Sequence, residues 1–548
     1  MTSRHLKGGI AWLTCAWGAL AAMVPCAAGA APGQARRVLH PVLREELLRR
    51  LPRGRSPFLL EPRAGRLLVR VHTLEPDALL RRAPGLGANV RAIVGGVASV
   101  LAPAPALGAL AGLPGVVSIK PAHSYTPELD ISTVEIGADA AAASYRGTGR
   151  GVIVAVIDTG LDFRHPDVRN PDGTTRVLAA WDQTDSGGGQ GCGGGIDFGR
   201  CWSRQELDAD LAGGAPAGLR DGHGHGTHVA GIAAGNGMAT ANGVPAGTYA
   251  GVAPEADLLI VKVFTDSGSF AGDLTAAYAW IAGQAAGTGR PFVINMSLGS
   301  DFGAHDGTDP DELALDALLA PGVSGRSAAI AAGNSRGAGV HVEAAVAAGG
   351  ANPHAFRIPA YDPSPGSDND AIFFDLWYEG GDALGMSLLD PDGAPLAHAD
   401  PGAATGLICT GSGAVLIDAT NTADPDNLDG EIVVSIWDSS ACPVPVPPAP
   451  ASTMTLLVDG VSTPQGGRYH VWAEGFLGPG LRPRFDPAVE STLVGIPATA
   501  RRAVAAGSHV TRGCWPSADP NGATTCFATS APLGAASSFS SNGPTRDG

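Results

Sequence analysis

The stretch GVIVAVIDTG, at residues 151–160, decides the fold. Val152–Ile157 is an unbroken apolar and mostly β-branched run, which predicts a strand buried on both faces of a parallel sheet. Asp158 follows this strand directly, and Thr159-Gly160 turn the chain. A carboxylate at the end of so apolar a strand is costly without a partner, so we expect one. The alternative is that Asp158 only caps the next turn.

The chain around this stretch repeats the same alternation of strands and helices. Further strands are predicted at Leu258–Phe264, Pro291–Met296 and Ser327–Ala331. Helices are predicted between them, at Val229–Ala234, Leu274–Ala286 behind the cap Asp273, and Asp311–Leu319 behind Asp309-Pro310. The pattern predicts an α/β domain with a doubly wound, mostly parallel sheet. In such a sheet, reactive groups gather at the carboxyl ends of the strands.

Two more polar residues follow predicted elements. His225 lies in DGHGHGTHVAG, at residues 221–231, where small residues crowd the start of a helix. The three histidines there also suggest a metal cluster, but no His-Glu-x-x-His frame is present. Asn334 follows a strand, where its amide is placed to donate to a developing oxyanion. Gly-Asn is also common in ordinary turns.

Taken together, these motifs resemble the subtilisin-like serine proteases, the subtilase family. The matching segments occur in the family's order of Asp, His and Asn. They are VIDTG at 156–160 with HPD at 165–167, HGTHVAG at 225–231, GVAP at 251–254, NMSLG at 295–299 and AGN at 332–334.

The resemblance implies a role for each matching residue. Asp158 would orient His225, His225 would act as general base toward a serine, and Asn334 would donate into the oxyanion hole. Protein or peptide substrates would add as an extended strand beside Ser297, Leu298 and Gly299, with Ala332 and Gly333 in a wall of the specificity pocket. His223 and His228 match non-catalytic positions.

The nucleophilic serine of the family is not found among these residues. FSSNGP at 539–544 matches the segment that precedes it, but no Gly-Thr-Ser-Met-Ala type motif follows. Ser530, in Thr529-Ser530-Ala531, resembles part of such a motif. However, it precedes the FSSNGP segment, and no apolar helix is predicted after it. We therefore expect a chain that ends before its nucleophile and is inactive as given. The alternatives are a non-catalytic, peptide-binding pseudoprotease and a surface-binding protein.

The predicted domains follow from changes in pattern. Residues 1–30 read as a signal peptide and 31–64 as a lead segment. Residues 65–125 form a small α+β unit, which pattern alone leaves as either a propeptide or an ordinary domain. The family implies an inhibitor-like propeptide, cut between Pro121 and Thr133. The catalytic domain is predicted at 126–340 and 488–548. Strand-like runs that alternate with turns at 341–487 predict an inserted all-β sandwich. In the surface-binding alternative, this sandwich carries the function.

Composition limits the partners. With 44% hydrophobic and 16% charged residues, the 548-residue chain has the material for a core. A net charge of -16 argues against nucleic acid, which needs clustered Lys or Arg. The basic and then apolar N-terminus ends in Ala28-Gly29-Ala30, as in an export signal. A lipoprotein signal at Cys26 fits less well, because of Pro25. We expect a secreted monomer, extracellular or periplasmic, with no membrane span.

Cysteine positions fit an exported protein. Six cysteines remain after the signal, an even set typical of disulfides. Pairing of sequence neighbours gives Cys192–Cys201, Cys409–Cys442 and Cys514–Cys526. A zinc site is the alternative, but no Cys-x-x-Cys spacing exists. No cofactor is required and no metal ligand is assigned. Calcium as a structural ion is common in the family, with Asp167 as the candidate ligand.

Overall fold

The structure is a computed structural model that describes most of the chain from residue 66 onward. Before that point it describes only residues 38–40 and 43, so the predicted signal peptide and most of the lead segment lie outside the described residues. The remaining ranges are 66–122, 126–127, 144–145, 147–193, 195–240, 245–247, 249–478, 480–510, 514–516, 524–526, 532 and 534–548. Among these, no helix has the length and hydropathy to cross a bilayer.

Residues 66–122 form an antiparallel four-stranded sheet with two α-helices. The strand order is Asn89–Val94, Val97–Pro103, Arg66–Thr73 and Val116–Pro121. The helices are Pro76–Arg82 and Leu107–Ala111. One face of the sheet packs apolar side chains against these helices, as Val69 and Leu79 do.

The centre of the molecule is a seven-stranded sheet. Its strands are parallel except for the last pair. In spatial order they are Val504–Ala506, Arg326–Ala331, Phe292–Met296, Ile153–Asp158, Asp257–Lys262, Val177–Asp182 and Arg200–Ser203. The described α-helices of this part are Arg204–Leu211, His225–Ala234, Leu274–Thr288 and Pro310–Leu318.

The strand Ile153–Asp158 shows why its sequence is continuously apolar. Ile153, Ala155 and Ile157 pack into the core that holds the helices Leu274–Thr288 and Pro310–Leu318. Val154 and Val156 pack into a second core, on the side of the helix His225–Ala234. Because successive side chains alternate between the two faces, both faces are buried, and the predicted α/β architecture is confirmed.

The predicted helix caps are confirmed. The carboxylate of Asp273 accepts a hydrogen bond from the amide of Ala276 at 3.0 Å, in the first turn of Leu274–Thr288. Asp309 forms a capping box with Glu312, and Pro310 occupies the first helical turn. Both caps satisfy backbone amides that have no partner within a helix. Each cap residue is buried, and residues 66–122 approach both helices from outside.

Residues 341–485 form two antiparallel sheets. The six-stranded sheet contains, in order, His341–Ala345, Arg468–Phe476, Ala371–Tyr378, Gly430–Trp437, Gly413–Asn421 and Ile408–Thr410. The five-stranded sheet contains Pro395–Ala399, Ala383–Leu389, Thr453–Ser462, Ala351–Arg357 and Arg484–Phe485. Side chains from both sheets, such as Phe374 and Leu456, share one apolar core.

Two of the three predicted disulfides are present. Cys192–Cys201 has an S–S distance of 2.12 Å, and Cys409–Cys442 one of 2.03 Å. These four cysteines therefore do not bind zinc. The third prediction concerns Cys514 and Cys526, whose side chains lie outside the described residues. Their backbones stand opposite each other in an antiparallel pair, which is the register that a disulfide there needs.

A buried histidine pair makes stability depend on pH. His341 Nε2 and His470 Nδ1 lie 3.0 Å apart, and Trp472 stacks on both rings. Burial lowers the pKa of His341 to about 3 and that of His470 to about 2. Both are therefore neutral at pH 7, and one ring donates to the other.

We expect the free energy of unfolding to fall on acidification. Below about pH 6.5 the unfolded histidines take up protons that the folded pair does not. The stability from this pair is complete above pH 6.5 and is lost toward pH 3, by about 1.4 kcal/mol per pH unit for each proton. Urea unfolding from pH 7 to pH 4 measures it, and His470→Gln should flatten the slope. An unchanged slope in that variant would assign the acid sensitivity to other groups.

Candidate active site

The site begins at the carboxyl end of the central strand. Asp158 is the last residue of Ile153–Asp158, and its side chain is 1% exposed. The Oδ1 atom accepts hydrogen bonds from the amide of Thr159, at 2.7 Å, and from Nδ1 of His225, at 2.7 Å. The partner expected for this carboxylate is therefore His225, and the simple turn-cap alternative is wrong.

His225 is the first residue of the helix His225–Ala234. Its side chain is 12% exposed, and Nε2 is buried without a hydrogen-bond partner among the described residues. Because Nδ1 donates to Asp158, Nε2 carries the free lone pair. The ring is thus held in the tautomer and orientation that suit a general base.

Asp221 fixes the start of this helix, a role that the sequence analysis missed. Its carboxylate accepts from the amides of Gly224 and Thr227, each at 2.8 Å, and from the hydroxyl of Thr159 at 2.8 Å. Burial raises the pKa of Asp221, but these donors outweigh burial and hold it below its ordinary value. The spacing Asp-x-x-x-His at the start of the predicted helix could have indicated this role of Asp221 from sequence.

Close packing between the helix and the turn sets the Asp158–His225 distance. The amide of Gly226 donates to Thr159 Oγ1 at 2.8 Å. A Cβ atom on Gly226 would stand 2.3 Å from the carbonyl oxygen of Gly160 and 3.2 Å from Cβ of Asp158. Only glycine lets the helix approach this closely.

Gly226→Ala is therefore expected to destabilise the protein by about 1–3 kcal/mol, because the helix must move away from the turn. Thermal or urea unfolding measures the change. The matched control is Gly231→Ala in the same helix, where a Cβ atom meets nothing within 4 Å. That control should gain about 0.5–1 kcal/mol from helix propensity. Equal effects from the two substitutions would contradict the close-packing explanation.

Neighbouring strands bring the other predicted residues to the same edge of the sheet. Ile157 pairs with Met296, and Met296 with Ile330. Ser297 therefore follows the neighbouring strand at the level of Asp158, and the segment 332–334 follows the next strand along the sheet. Parallel strands deliver their carboxyl ends to one edge, which explains this placement.

The loop that carries Asn334 is held by the end of the chain. Ser541 donates its amide to the carbonyl of Gly333 at 2.9 Å, and its Oγ accepts from the amide of Ser335 at 3.1 Å. Ala332 donates its amide to Ala506 at 2.9 Å. Gly333 has a φ of 116°, and a Cβ there would meet Ser541 Oγ at 2.6 Å. Asn334 itself is exposed.

A second brace on this loop comes from residues that the sequence did not point to. Ser335 Oγ donates to Asp301 Oδ2 at 2.5 Å, and Arg482 Nη1 donates to the same oxygen at 2.5 Å. Asp301 lies two residues beyond Gly299. The network thus joins the predicted substrate strand to the Asn334 loop, through an arginine that follows the strand Arg468–Phe476.

The predicted substrate strand already has an extended partner. Leu298–Gly299 pairs antiparallel with Thr126–Pro127, with Leu298 opposite Pro127 and Gly299 opposite Thr126. On its far side, Ser300 exchanges two backbone hydrogen bonds with Ile496, each at 2.9 Å. The segment just after the N-terminal sheet therefore takes the place that the sequence analysis gave to a peptide substrate.

The calcium prediction is not decided by the described residues. Asp167 Oδ1 accepts a hydrogen bond from the amide of Ala239 at 2.6 Å, so one carboxylate oxygen is already engaged. Within the described part of the chain, no three acidic, cysteine or histidine side chains form a metal-binding group. Residues 241–244 of the adjoining loop lie outside it. Calcium therefore stays a prediction.

Family comparison agrees with this geometry. The model of the Subtilase family matches residues 149–548, which is most of the chain. The chain belongs to the subtilase family. The match begins four residues before the central strand and includes Asp158, His225, Ser297, Leu298, Gly299, Ala332, Gly333 and Asn334. The family resemblance predicted from the motifs is thus confirmed.

Individual relatives match over shorter stretches. The PII-type proteinase of Lacticaseibacillus paracasei is 34% identical over 227 residues, which are 40% of this chain and 11% of that protein. A subtilisin of Bacillus sp. (strain TA39) is 39% identical over 153 residues, 28% of each protein. The chain therefore matches only a minor part of the length of these subtilases.

One solved structure matches over most of its length. The Clostridium perfringens CspB protease has a TM-score of 0.55, with 74% of each chain covered and 19% sequence identity. At this identity the likeness shows the fold alone.

Proposed function

We propose that the chain is the precursor of a secreted serine endopeptidase that hydrolyses peptide bonds through an Asp-His-Ser triad. The observation that carries the proposal is the hydrogen bond of 2.7 Å between Asp158 and His225, with Nε2 of His225 left free. Membership of the subtilase family supports the same reaction.

The chemistry follows from the tautomer. Nε2 of His225 takes the hydroxyl proton of a serine as the serine oxygen attacks the substrate carbonyl. The imidazolium that forms is stabilised by Asp158, and it returns the proton to the leaving amine. Asn334 donates to the oxyanion of the tetrahedral intermediate, a contribution of about 3–4 kcal/mol in such sites. The motifs of this chain do not assign the serine of the triad to a residue.

The substrate is expected to bind as an added strand. Its backbone would pair with Leu298–Gly299 where Thr126–Pro127 now lies, and Ser297, Ala332 and Gly333 would line the adjoining subsites. Backbone pairing reads few side chains, so broad specificity for proteins and peptides follows.

The remaining domain assignments form part of the proposal. Residues 65–125 are the inhibitor-like propeptide, supported by the pairing of Thr126–Pro127 in the cleft. Residues 341–487 are a β-sandwich inserted into the catalytic domain at 126–340 and 488–548, supported by two sheets with one core. The export signal at 1–30 makes the protein extracellular or periplasmic.

The test uses the chain with its natural downstream sequence, expressed beside the 548-residue chain. After processing, the longer chain should cleave an unstructured peptide and take a label from an active-site fluorophosphonate, which reacts with activated serines. The 548-residue chain serves as the control and should do neither. A folded, processed long chain without label and without cleavage would overturn the proposal.

A further inference from the structure

One face of the N-terminal sheet is polar and is covered from two directions. Arg70 stands opposite Ser99 on one neighbouring strand and opposite Lys120 on the other, so all three side chains lie on the same face. His72 stands opposite Ser118 on this face as well. The other face packs on the unit's own helices. A polar face on a small buried sheet needs charged partners, and the structure supplies two sets.

The first set belongs to the two helices of the subtilase domain. Arg70 Nε donates to Asp311 Oδ1 at 2.6 Å, and Nη2 lies 3.4 Å from Asp273 Oδ1. Ser99 Oγ donates to Asp273. These contacts hold the unit next to the catalytic domain.

The second set belongs to the inserted sheets. Lys120 Nζ lies 2.9 Å from Asp424 Oδ1 and 3.1 Å from Asp426 Oδ2, and its side chain is 9% exposed. Burial alone would lower the pKa of Lys120, but these carboxylates raise it well above its ordinary value. The ammonium group also stands 5.9 Å from the centre of the Trp377 ring. Lys120 is therefore charged and enclosed by the insertion.

Histidines and a hydroxyl extend this contact. His72 Nδ1 lies 2.6 Å from Asp426 Oδ1, and Ser118 Oγ donates to Asp426 Oδ2 at 2.7 Å. His40, from the lead segment, lies 3.0 Å from Glu431 Oε1. Asp426 thus receives three different groups of the N-terminal unit.

Apolar contact accompanies the charges. A single apolar cluster contains Val71 and Leu110 of the N-terminal unit together with Phe373 and Val433 of the six-stranded sheet. Leu43 of the lead segment and Phe302 of the subtilase domain belong to the same cluster. The insertion therefore meets the N-terminal unit with a matched apolar and acidic surface.

We propose that Asp424, Asp426 and Glu431 form a docking surface for the N-terminal unit, residues 66–122 together with His40, and keep this unit bound to the insertion after the connecting segment is cut. We call these three residues the acidic dock. Its ligand is the basic and hydroxyl row of His40, His72, Ser118 and Lys120. The insertion then acts as a retention domain, and the helices of the catalytic domain bind the unit separately, through Arg70 and Ser99 on the same face of the sheet.

The inference rests on the proposed function in treating the unit as a propeptide that is cut away. Docking itself needs no peptidase activity. An inhibitor held at two surfaces dissociates only when both contacts open, because loss of one leaves the unit tethered at high effective concentration. Release would then be slow even after cleavage, and the insertion would set how long the cleft stays covered.

The experiment cuts the 548-residue chain at a site-specific protease sequence inserted between Pro127 and Tyr145, and follows the N-terminal fragment by gel filtration. When the acidic dock is unchanged, the N-terminal fragment should co-elute with the rest of the cut chain. Asp424→Asn/Asp426→Asn should weaken retention roughly 100-fold, as expected when one partner of a buried ion pair is removed. The control is Glu343→Gln, which breaks an exposed pair with Arg468 on the same sheet.

Two additions keep the test decisive. A third variant combines Lys120→Met with Asp424→Asn/Asp426→Asn. Its loss of binding free energy should be smaller than the sum of the losses from Lys120→Met alone and from Asp424→Asn/Asp426→Asn alone, because the lysine and the two carboxylates interact directly. Hydrogen exchange of the intact chain should show faster exchange over residues 66–121 in the dock variant, with the strand Ile153–Asp158 still protected. Retention and exchange equal to wild type in the dock variant would overturn the docking proposal and leave the peptidase proposal standing.

Discussion

Replacing His225 by alanine in the chain with its downstream sequence is expected to lower kcat for peptide cleavage by about six orders of magnitude. The size follows from subtilisin, in which loss of the triad histidine costs about as much as loss of the whole triad. The physical reason is the free Nε2 lone pair, since alanine has no group to take the serine proton. Steady-state cleavage of an unstructured peptide measures the effect.

The control for this prediction is His228→Ala. His228 lies three residues along the same helix and is exposed, so its loss should leave kcat within a few-fold of wild type. Asp158→Asn should lie between the two, with a loss of about 10⁴, because an amide favours the wrong tautomer of His225. A His225→Ala protein that is folded and retains wild-type kcat would end the triad proposal. The variants also need a structural check, and near-UV circular dichroism provides it.

Replacing Arg70 by methionine is expected to be the most destabilising single change outside the active site, at about 3–5 kcal/mol. Arg70 is 1% exposed and bonds Asp311 at 2.6 Å. Its removal leaves the carboxylates of Asp311 and Asp273 buried without this partner, and a buried charge without compensation is costly. Within the described part of the chain, Arg91 also approaches Asp273, with Nη1 3.9 Å from Oδ2. Urea unfolding at pH 7 measures the loss.

The matched control is Arg150→Met. Arg150 also pairs with a carboxylate, Glu255, but its side chain is 80% exposed. Water already solvates both groups, so the unfolding midpoint should not change. If the two substitutions shifted the midpoint equally, the buried network would contribute no more than a surface ion pair. That outcome would also remove one of the two attachments of the N-terminal unit.

The parts of the fold that the sequence predicted are those with a strong local pattern. The apolar run 152–157 and the caps Asp273 and Asp309 each identify an element without reference to the rest of the chain. The strands Val177–Asp182 and Arg200–Ser203 were missed because their pattern is broken by polar residues and a long Gly-rich connection. Their pairing depends on the disulfide Cys192–Cys201 and on Asp257–Lys262, which are tertiary features.

The site shows the same division. Asp158, His225 and Asn334 could be predicted because each stands in a motif of several residues. Asp221, Asp301 and Arg482 could not, because their partners are distant in sequence and their own surroundings are ordinary. The contact of Arg482 with Asp301 joins two residues that are 181 positions apart in sequence. The burial of the polar face of the N-terminal sheet could not be predicted either. Alternating polar and apolar residues along a strand are equally typical of a sheet with one face exposed to solvent.

The strand Val504–Ala506 has a consequence for the newly made chain. It pairs with Ala329–Ala331 at one edge of the central sheet, and roughly 170 residues separate the two in sequence. At a synthesis rate of about 5–20 residues per second, the partner emerges about 10–30 s after the strand it covers. During that interval the ribosome-bound chain carries an open sheet edge, which is a template for wrong pairing between nascent proteins.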